Sequence, residues 1–187
     1  MYAIVVHGGA GSCAPQQEAA ALAGVRAAAI AGQEILAAGG SCLDAAVAAI
    51  VVLEDDPETN AGTGSVLNLD GDAEMDAGVM VGETLRTGNV AALKRVKNPI
   101  LVARAVMEQT DHVLLAGEGA QRFARILGFP DYDPVIRDRR EGWRRALEGM
   151  RRRGDHYLPH LRGFLNSHPE FPQGTVGAVA LDLQGHI

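Results

Sequence analysis

Only two cysteines, Cys13 and Cys42, occur in 187 residues, and neither stands in a CxxC or Cys/His spacing. That excludes a disulfide scaffold and a thiolate zinc site as the organising device. Aromatic residues make up 4% of the chain, so the core has to close through small side chains, and alanine and glycine are correspondingly abundant. Excess basic charge is also lacking. The net charge is −6 and the pI near 5.5, which argues against nucleic acid or an anionic membrane as a main partner. On this reading no apolar run approaches membrane-spanning length and no charged-then-apolar leader precedes the first strand-like residues, so no membrane partner and a cytoplasmic setting are expected. One segment departs from the acidic balance: eight arginines fall between Arg137 and Arg153. Asp138, Glu141 and Glu148 are interleaved with them, the pattern of a solvated amphipathic helix rather than a nucleic-acid patch.

What is present is a chain with 47% hydrophobic and 21% charged residues, ordinary for one soluble globular domain. Tyr2–Val6 reads as a buried strand entering the glycine loop His7-Gly8-Gly9-Ala10-Gly11. Residues 16–38 read as a long helix stopped by Gly39-Gly40, and Ser41 can N-cap a second helix over 43–53. Residues 54–64 (EDDPETNAGTG) form a turn-rich loop. Two strands are expected over 65–69 and 74–81, joined as a hairpin by Asp70-Gly71-Asp72. Pro99 opens a helix over 100–109, 112–116 can be a short strand, and 118–127 a helix closed by Gly128. Ile136, Trp143, Leu147 and Met150 recur at helical spacing. The organisation expected is a core over 1–153, a linker over 154–174, and a further strand within 175–187 whose turn at Asp182-Leu183-Gln184-Gly185 leads into a returning strand.

The chemistry centres on Gly174-Thr175, followed by the alternating run Val176–Asp182. A threonine hydroxyl is a weak nucleophile, and a free α-amine on the same residue is one way to activate it. That amine titrates near neutrality and so can take a proton at cellular pH. Glycine ahead of the threonine leaves its carbonyl open to attack and tolerates strained backbone, as self-cleavage by an N-to-O acyl shift requires. Other motifs lead elsewhere. The loop at Gly8-Gly9 lacks a P-loop lysine and dinucleotide-fingerprint spacing, and no G-x-S-x-G elbow accompanies it. His156, His160 and His168 are not aligned for a metal, because Pro159 interrupts any helix between them.

Five blocks occur in one order: HGGAG after the first strand, PETNAGTGSVLN, GDAEMDAGVM, KNPILVARAVMEQTDHVLLAGEGA and GTVGAVALDLQG. Together they closely resemble the plant-type asparaginases, or isoaspartyl peptidases, among the N-terminal-nucleophile hydrolases. The resemblance covers most of residues 3–129 and 174–187, and Gly174 (rather than aspartate) before the threonine favours this branch over glycosylasparaginase and threonine aspartase. It implies an α+β chain in the four-layer αββα sandwich, incomplete here, with cleavage between Gly174 and Thr175. Thr175 would then be the nucleophile toward L-asparagine or a β-aspartyl peptide.

The resemblance further implies supporting roles for Asn60, Gly8 and Gly9, with the glycine loop beside the nucleophile. It implies a structural sodium ion held by the backbone carbonyls of Leu53, Glu54, Asp56, Thr59, Ala61 and Thr63, and no organic cofactor. The family most often has apolar residues where Asp56, Thr59 and Thr63 stand. Partners implied are a small-molecule or dipeptide substrate and a second αβ unit, as a homo-oligomer. The family's Thr-Ser-Thr-Gly-Gly, Arg-x-Gly-Asp and Thr-Gly-x-Gly segments have no counterpart after Thr175. Arg153-Gly154-Asp155 falls on the wrong side of the cleavage point to stand for the second, and Gly62-Thr63-Gly64 aligns with another loop. The alternative expectation is a truncated, inactive relative acting as a structural or binding module.

Overall fold

The computed structural model describes residues 1–9, 15–151 and 177–187. The elements run β1 (Ala3–His7), α1 (Pro15–Ala37), α2 (Cys42–Asp55), β2 (Met75–Val81), β3 (Arg86–Leu93), α3 (Pro99–Gln109), β4 (Leu114–Ala116), α4 (Gly117–Ile126), α5 (Arg137–Arg151) and β5 (Gly177–Leu181). The chain is α+β, as expected. Its strands form two sheets, β1–β5 and β2–β3–β4, each with helices packed on it.

The first sheet joins the two sequence extremes, with β1 antiparallel to β5 in the register Ala3↔Leu181 to His7↔Gly177. Alternation puts Ile4, Val6, Ala178 and Ala180 toward α1 and α2, whose buried residues include Ala28, Leu36, Ala45, Ile50 and Leu53. The other face carries Val5 and Val179, opposite each other and 71% and 61% exposed. In the second sheet β2 and β3 are antiparallel, with a bulge between Met75 and Ala77, and β4 runs parallel to β3. Val90 and Leu93 of β3 close a core with Val102, Ala103 and Val106 of α3 and Ala120 and Ala124 of α4.

Helix ends follow the sequence signals. Ser41 is extended (φ −73°, ψ 156°) and its hydroxyl accepts from Asp44 N–H at 3.0 Å, serving one of the orphan donors of the α2 start. Pro99 opens α3, where its missing N–H costs nothing. Gly128 (φ +83°) closes α4, its N–H reaching Arg125 O at 3.0 Å. The turn after β5 is also formed, with Asp182 N–H on His186 O at 3.0 Å and Gly185 N–H on Asp182 O at 3.2 Å.

Two expectations are corrected. The Asp70-Gly71 turn exists, since Asn68 N–H reaches Asp72 O and Gly71 N–H reaches Asn68 O, but residues 65–69 form no strand. Instead β2 turns at 82–85 into β3, whose sequence RTGNVAAL hides a strand behind Gly88 and Asn89. Glycine is needed at position 88 because any Cβ would overlap the backbone of Ala103 and Met107 in α3. The second correction concerns α1. By length and composition Glu18–Ala37, with mean hydropathy 1.3, is long and apolar enough to cross a membrane. Its apolarity comes from many weakly hydrophobic alanines rather than a strong apolar run, which is why the residue pattern concealed it. In this fold it packs on α2, with Gly32 against Ala45 O and the Ile4 side chain.

Candidate functional site

A trough of about 960 Å³ lies between the two sheets. Its floor is α2, through Ala46, Val47 and Ile50, and its walls are β5 (Gly177–Ala180) and β2 (Met75–Met80). Beyond the end of β2, Gly82 N–H reaches Ile187 O at 2.5 Å. The loop after α2 contributes Asn60, Ser65 and Val66. Asn60 and Gly177, two residues after Thr175, therefore share one cavity. Gly174 and Thr175 themselves lie outside the described residues, as do His156, His160, His168 and the linker.

The loop around Asn60 is held from within by backbone conformation. Gly62 (φ +51°) and Gly64 (φ +93°) sit in the left-handed region, and a Cβ on either would overlap the carbonyl of Glu54 or Pro57. That region and that closeness both demand glycine. Thr63 N–H then donates to Glu54 O at 2.7 Å, while Asn60 Oδ1 accepts from Val66 N–H at 2.8 Å. Gly8 is pressed against α1, where a Cβ would lie 2.5 Å from Val25 Cγ2, and Gly9 has φ +116°.

Of the carbonyls singled out as sodium ligands, those of Leu53, Asp56 and Ala61 converge on the Thr59 hydroxyl at 2.5, 3.0 and 3.5 Å. One hydroxyl has one proton, so the three carbonyls share it, and Asp56 O takes the Thr59 N–H as well at 3.1 Å. Neutral, hard oxygens in surplus over donors are the chemistry that suits a small monovalent cation. The remaining members differ: Glu54 O takes Thr63 N–H, and Thr59 O takes the Arg139 guanidinium at 3.2 Å. Thr63 uses its hydroxyl elsewhere, in a 2.9 Å hydrogen bond with Tyr132 OH.

Two carboxyl groups are buried near α2, and Glu54 lines the trough. Glu54 caps α3: Oε1 accepts from Ile100 N–H at 3.0 Å, while Oε2 is buried without a partner among the described residues. Burial pushes its pKa up to about 8 against the opposing pull of the Ile100 N–H and the Asn98 side chain, with the neighbouring Asp55 charge adding to the rise, so the neutral form is favoured at pH 7. Asp182 faces the start of α2. Burial would raise it, but N–H donors from His186 (2.8 Å), Cys42 (3.4 Å) and Gln184 (3.0 Å) outweigh that and hold it below the usual carboxylate range. The Cys42 thiol, free and buried, is itself pushed up by burial and by Asp182.

Reading the residues alone missed Arg139, the side chain of Glu54 and the anchoring of Asp182. Asp182 had a signal, an aspartate opening a turn that ends in glycine. Arg139 had none, being one of eight arginines in the segment 137–153, which reads as a solvated helix.

A glycine-constrained loop and the strand that follows the Gly-Thr pair thus share one trough of an α+β chain. A family model described as asparaginase matches residues 1–187, and the chain belongs to the asparaginase family. It is 52% identical over 183 residues to a plant-type L-asparaginase of Pyrococcus abyssi (strain GE5 / Orsay), covering 97% of this chain and 60% of that protein. It is 50% identical to a plant-type L-asparaginase of Pyrococcus horikoshii with the same coverage. To an isoaspartyl peptidase/L-asparaginase of Xenopus laevis it is 43% identical over 190 residues, covering 98% of this chain and 56% of that protein. The chain thus spans about 60% of the length of the curated relatives it matches.

Proposed function

We propose that this chain carries the self-cleaving and nucleophile-bearing part of an amidohydrolase acting on L-asparagine or β-aspartyl peptides. The observation that carries the proposal is the placement of β5. Its first residue, Gly177, lines the same trough as Asn60 and pairs with His7 of β1, and in the sequence it is the second residue after Thr175. In the proposed cleavage, Thr175 Oγ adds to the Gly174 carbonyl carbon, the Gly174–Thr175 C–N bond breaks, and the proton from the hydroxyl passes to the departing amine. The ester that remains is hydrolysed by water. The freed amine then serves as base: Thr175 Oγ attacks the side-chain amide of the substrate, ammonia or an amine leaves with the proton, and water releases aspartate from the aspartyl ester. Asn60 has the polar, loop-fixed position of a supporting group, and the tight loop at Gly8 and Gly9 follows β1.

The αββα sandwich belongs to the same proposal, with the rest of the relatives' length filling the trough between the edges of β5 and β2. So does a sodium ion on the carbonyls of Leu53, Asp56 and Ala61, whose effect would be to stiffen the Asn60 loop. Its expected signature is a melting temperature higher in NaCl than in choline chloride at equal ionic strength; equal melts remove the ion from the reading.

Intact mass of the incubated chain tests the cleavage. Fragments 1–174 and 175–187 are expected, and Thr175→Ala should abolish them. An uncut wild-type chain after days at moderate temperature would overturn self-cleavage. A second reading, a binding module without turnover, is favoured by the trough whose walls β5 and β2, among the described residues, pair on their far sides alone. Ammonia release from L-asparagine, with and without the remainder of a longer relative added in trans, separates the two. Turnover by the chain alone eliminates the module.

A further inference from the structure

The stretch from Glu58 to Gly64 carries more main-chain oxygens than its own N–H groups serve, and a distant helix supplies the missing donors. Arg139 of α5 reaches across the fold: Nε donates to Gly64 O at 2.6 Å, and Nη2 to Glu58 O at 3.0 Å and Thr59 O at 3.2 Å. These acceptors belong to the two arms of the loop, Glu58 and Thr59 before Asn60 and Gly64 after it. A guanidinium holds five donors in one rigid plane and stays charged, so it can fix the spread between two arms as an ammonium on a flexible stem cannot. Two further ties act on the same arm. Gly64 N–H donates to Pro134 O at 2.9 Å, a few residues before α5, and Asn60 Oδ1 bridges to Val66 N–H.

We infer that Arg139 is the positioning residue for Asn60, clamping both arms of its loop so that Asn60 stays in the wall of the trough beside Gly177. The clamp rests on the proposed function only for what Asn60 is used for. The contacts themselves explain why an arginine in a largely solvated helix is half-buried with its guanidinium spent on main-chain oxygens rather than on the acids of its own helix.

The test uses the full 187-residue chain as Arg139→Gln and Arg139→Lys, read by amide hydrogen exchange and by the Asn60 side-chain amide resonances. Arg139→Gln is expected to speed exchange at Thr63, Gly64 and Val66 by roughly tenfold, the loss of about one charged hydrogen bond. Val102 and Val106 in α3 should exchange as in the wild type, and the Asn60 amide pair should collapse toward its solvent-averaged position. Arg139→Lys should fall between, because a point charge cannot span both arms. Unchanged loop exchange in Arg139→Gln overturns the inference, as does an equal acceleration in α3, which would mean a general loss of stability. Should Arg139→Gln fail to fold, Arg139→Lys decides: intermediate exchange confined to the loop supports the clamp, and wild-type exchange overturns it. Neither readout requires turnover. A chain that never cleaves yet shows the loop response retires the proposed function and keeps the clamp.

Discussion

Glu54 and Asp182 are both carboxyl groups at the start of a helix and both almost wholly inaccessible, 3% and 2% exposed, yet they sit in opposite protonation states at pH 7. A helix N-terminus favours an anion, so position alone would ionise both. The difference lies in the donors. Asp182 collects three backbone N–H groups and has the His186 ring 3.4 Å away. Glu54 collects one N–H on one oxygen and leaves the other bare. Desolvation wins at Glu54, where the Ile100 N–H and the Asn98 side chain oppose it and Asp55 adds to it, and loses at Asp182, where three N–H groups and the His186 ring act together. A helix dipole is too weak to decide the matter by itself.

Two experiments bear on that contrast, taken from the larger expected effect. Glu54 keeps its proton in the folded state up to about pH 8 but loses it near the ordinary glutamate value when unfolded. The folded state therefore holds more protons between those values, and stability should fall as pH rises through that window. The slope is worth on the order of a few kcal/mol over the window. Denaturant melts of Glu54→Gln should lack it, with the variant matching or exceeding the wild type at pH 8. A slope that survives in the variant would mean that Glu54 is hydrated and ordinary.

Asp182 has the opposite sign. Its folded pKa lies below its unfolded one, so its contribution is present above the usual aspartate range and is lost as pH falls through the folded value. Asp182→Asn should flatten the acid limb of stability and should loosen the turn after β5. The effect should be the smaller of the two, because the burial that opposes ionisation cancels part of the donors' gain. An acid limb identical to wild type would remove Asp182 from the account.

The secondary structure was largely legible because its punctuation is local. Ser41 acts through its hydroxyl on an N–H three residues on, and Pro99 and Gly128 act through their own backbone, so the ends of α2, α3 and α4 could be read from single residues. The strand β3 was not legible, since its Gly88 is there for α3, a partner that the sequence window does not contain. Residues 65–69 failed for the complementary reason. Their alternation suggested a strand, but Asn68 turns the chain back on itself, and Trp143 of α5 takes Asn68 O with its indole N–H at 2.8 Å. The same limit applies to the candidate site. Gly62 and Gly64 announced a tight loop, which the structure forms, while Gly174 and Thr175 lie outside the described residues. The clamp from Arg139 spans 75 to 81 positions and leaves no periodic trace.

The pairing of Ala3–His7 with Gly177–Leu181 has a consequence for the order in which the molecule is made. Ala3–His7 cannot complete its ladder until Gly177–Leu181 has been made, and loop closure over that span is entropically the dearest in the described fold. The β2–β3 turn and the α1–α2 pair need only neighbours and can form early. If the proposed cleavage depends on β5 being seated, it waits on this pairing, and its timing is set by the longest closure in the described fold.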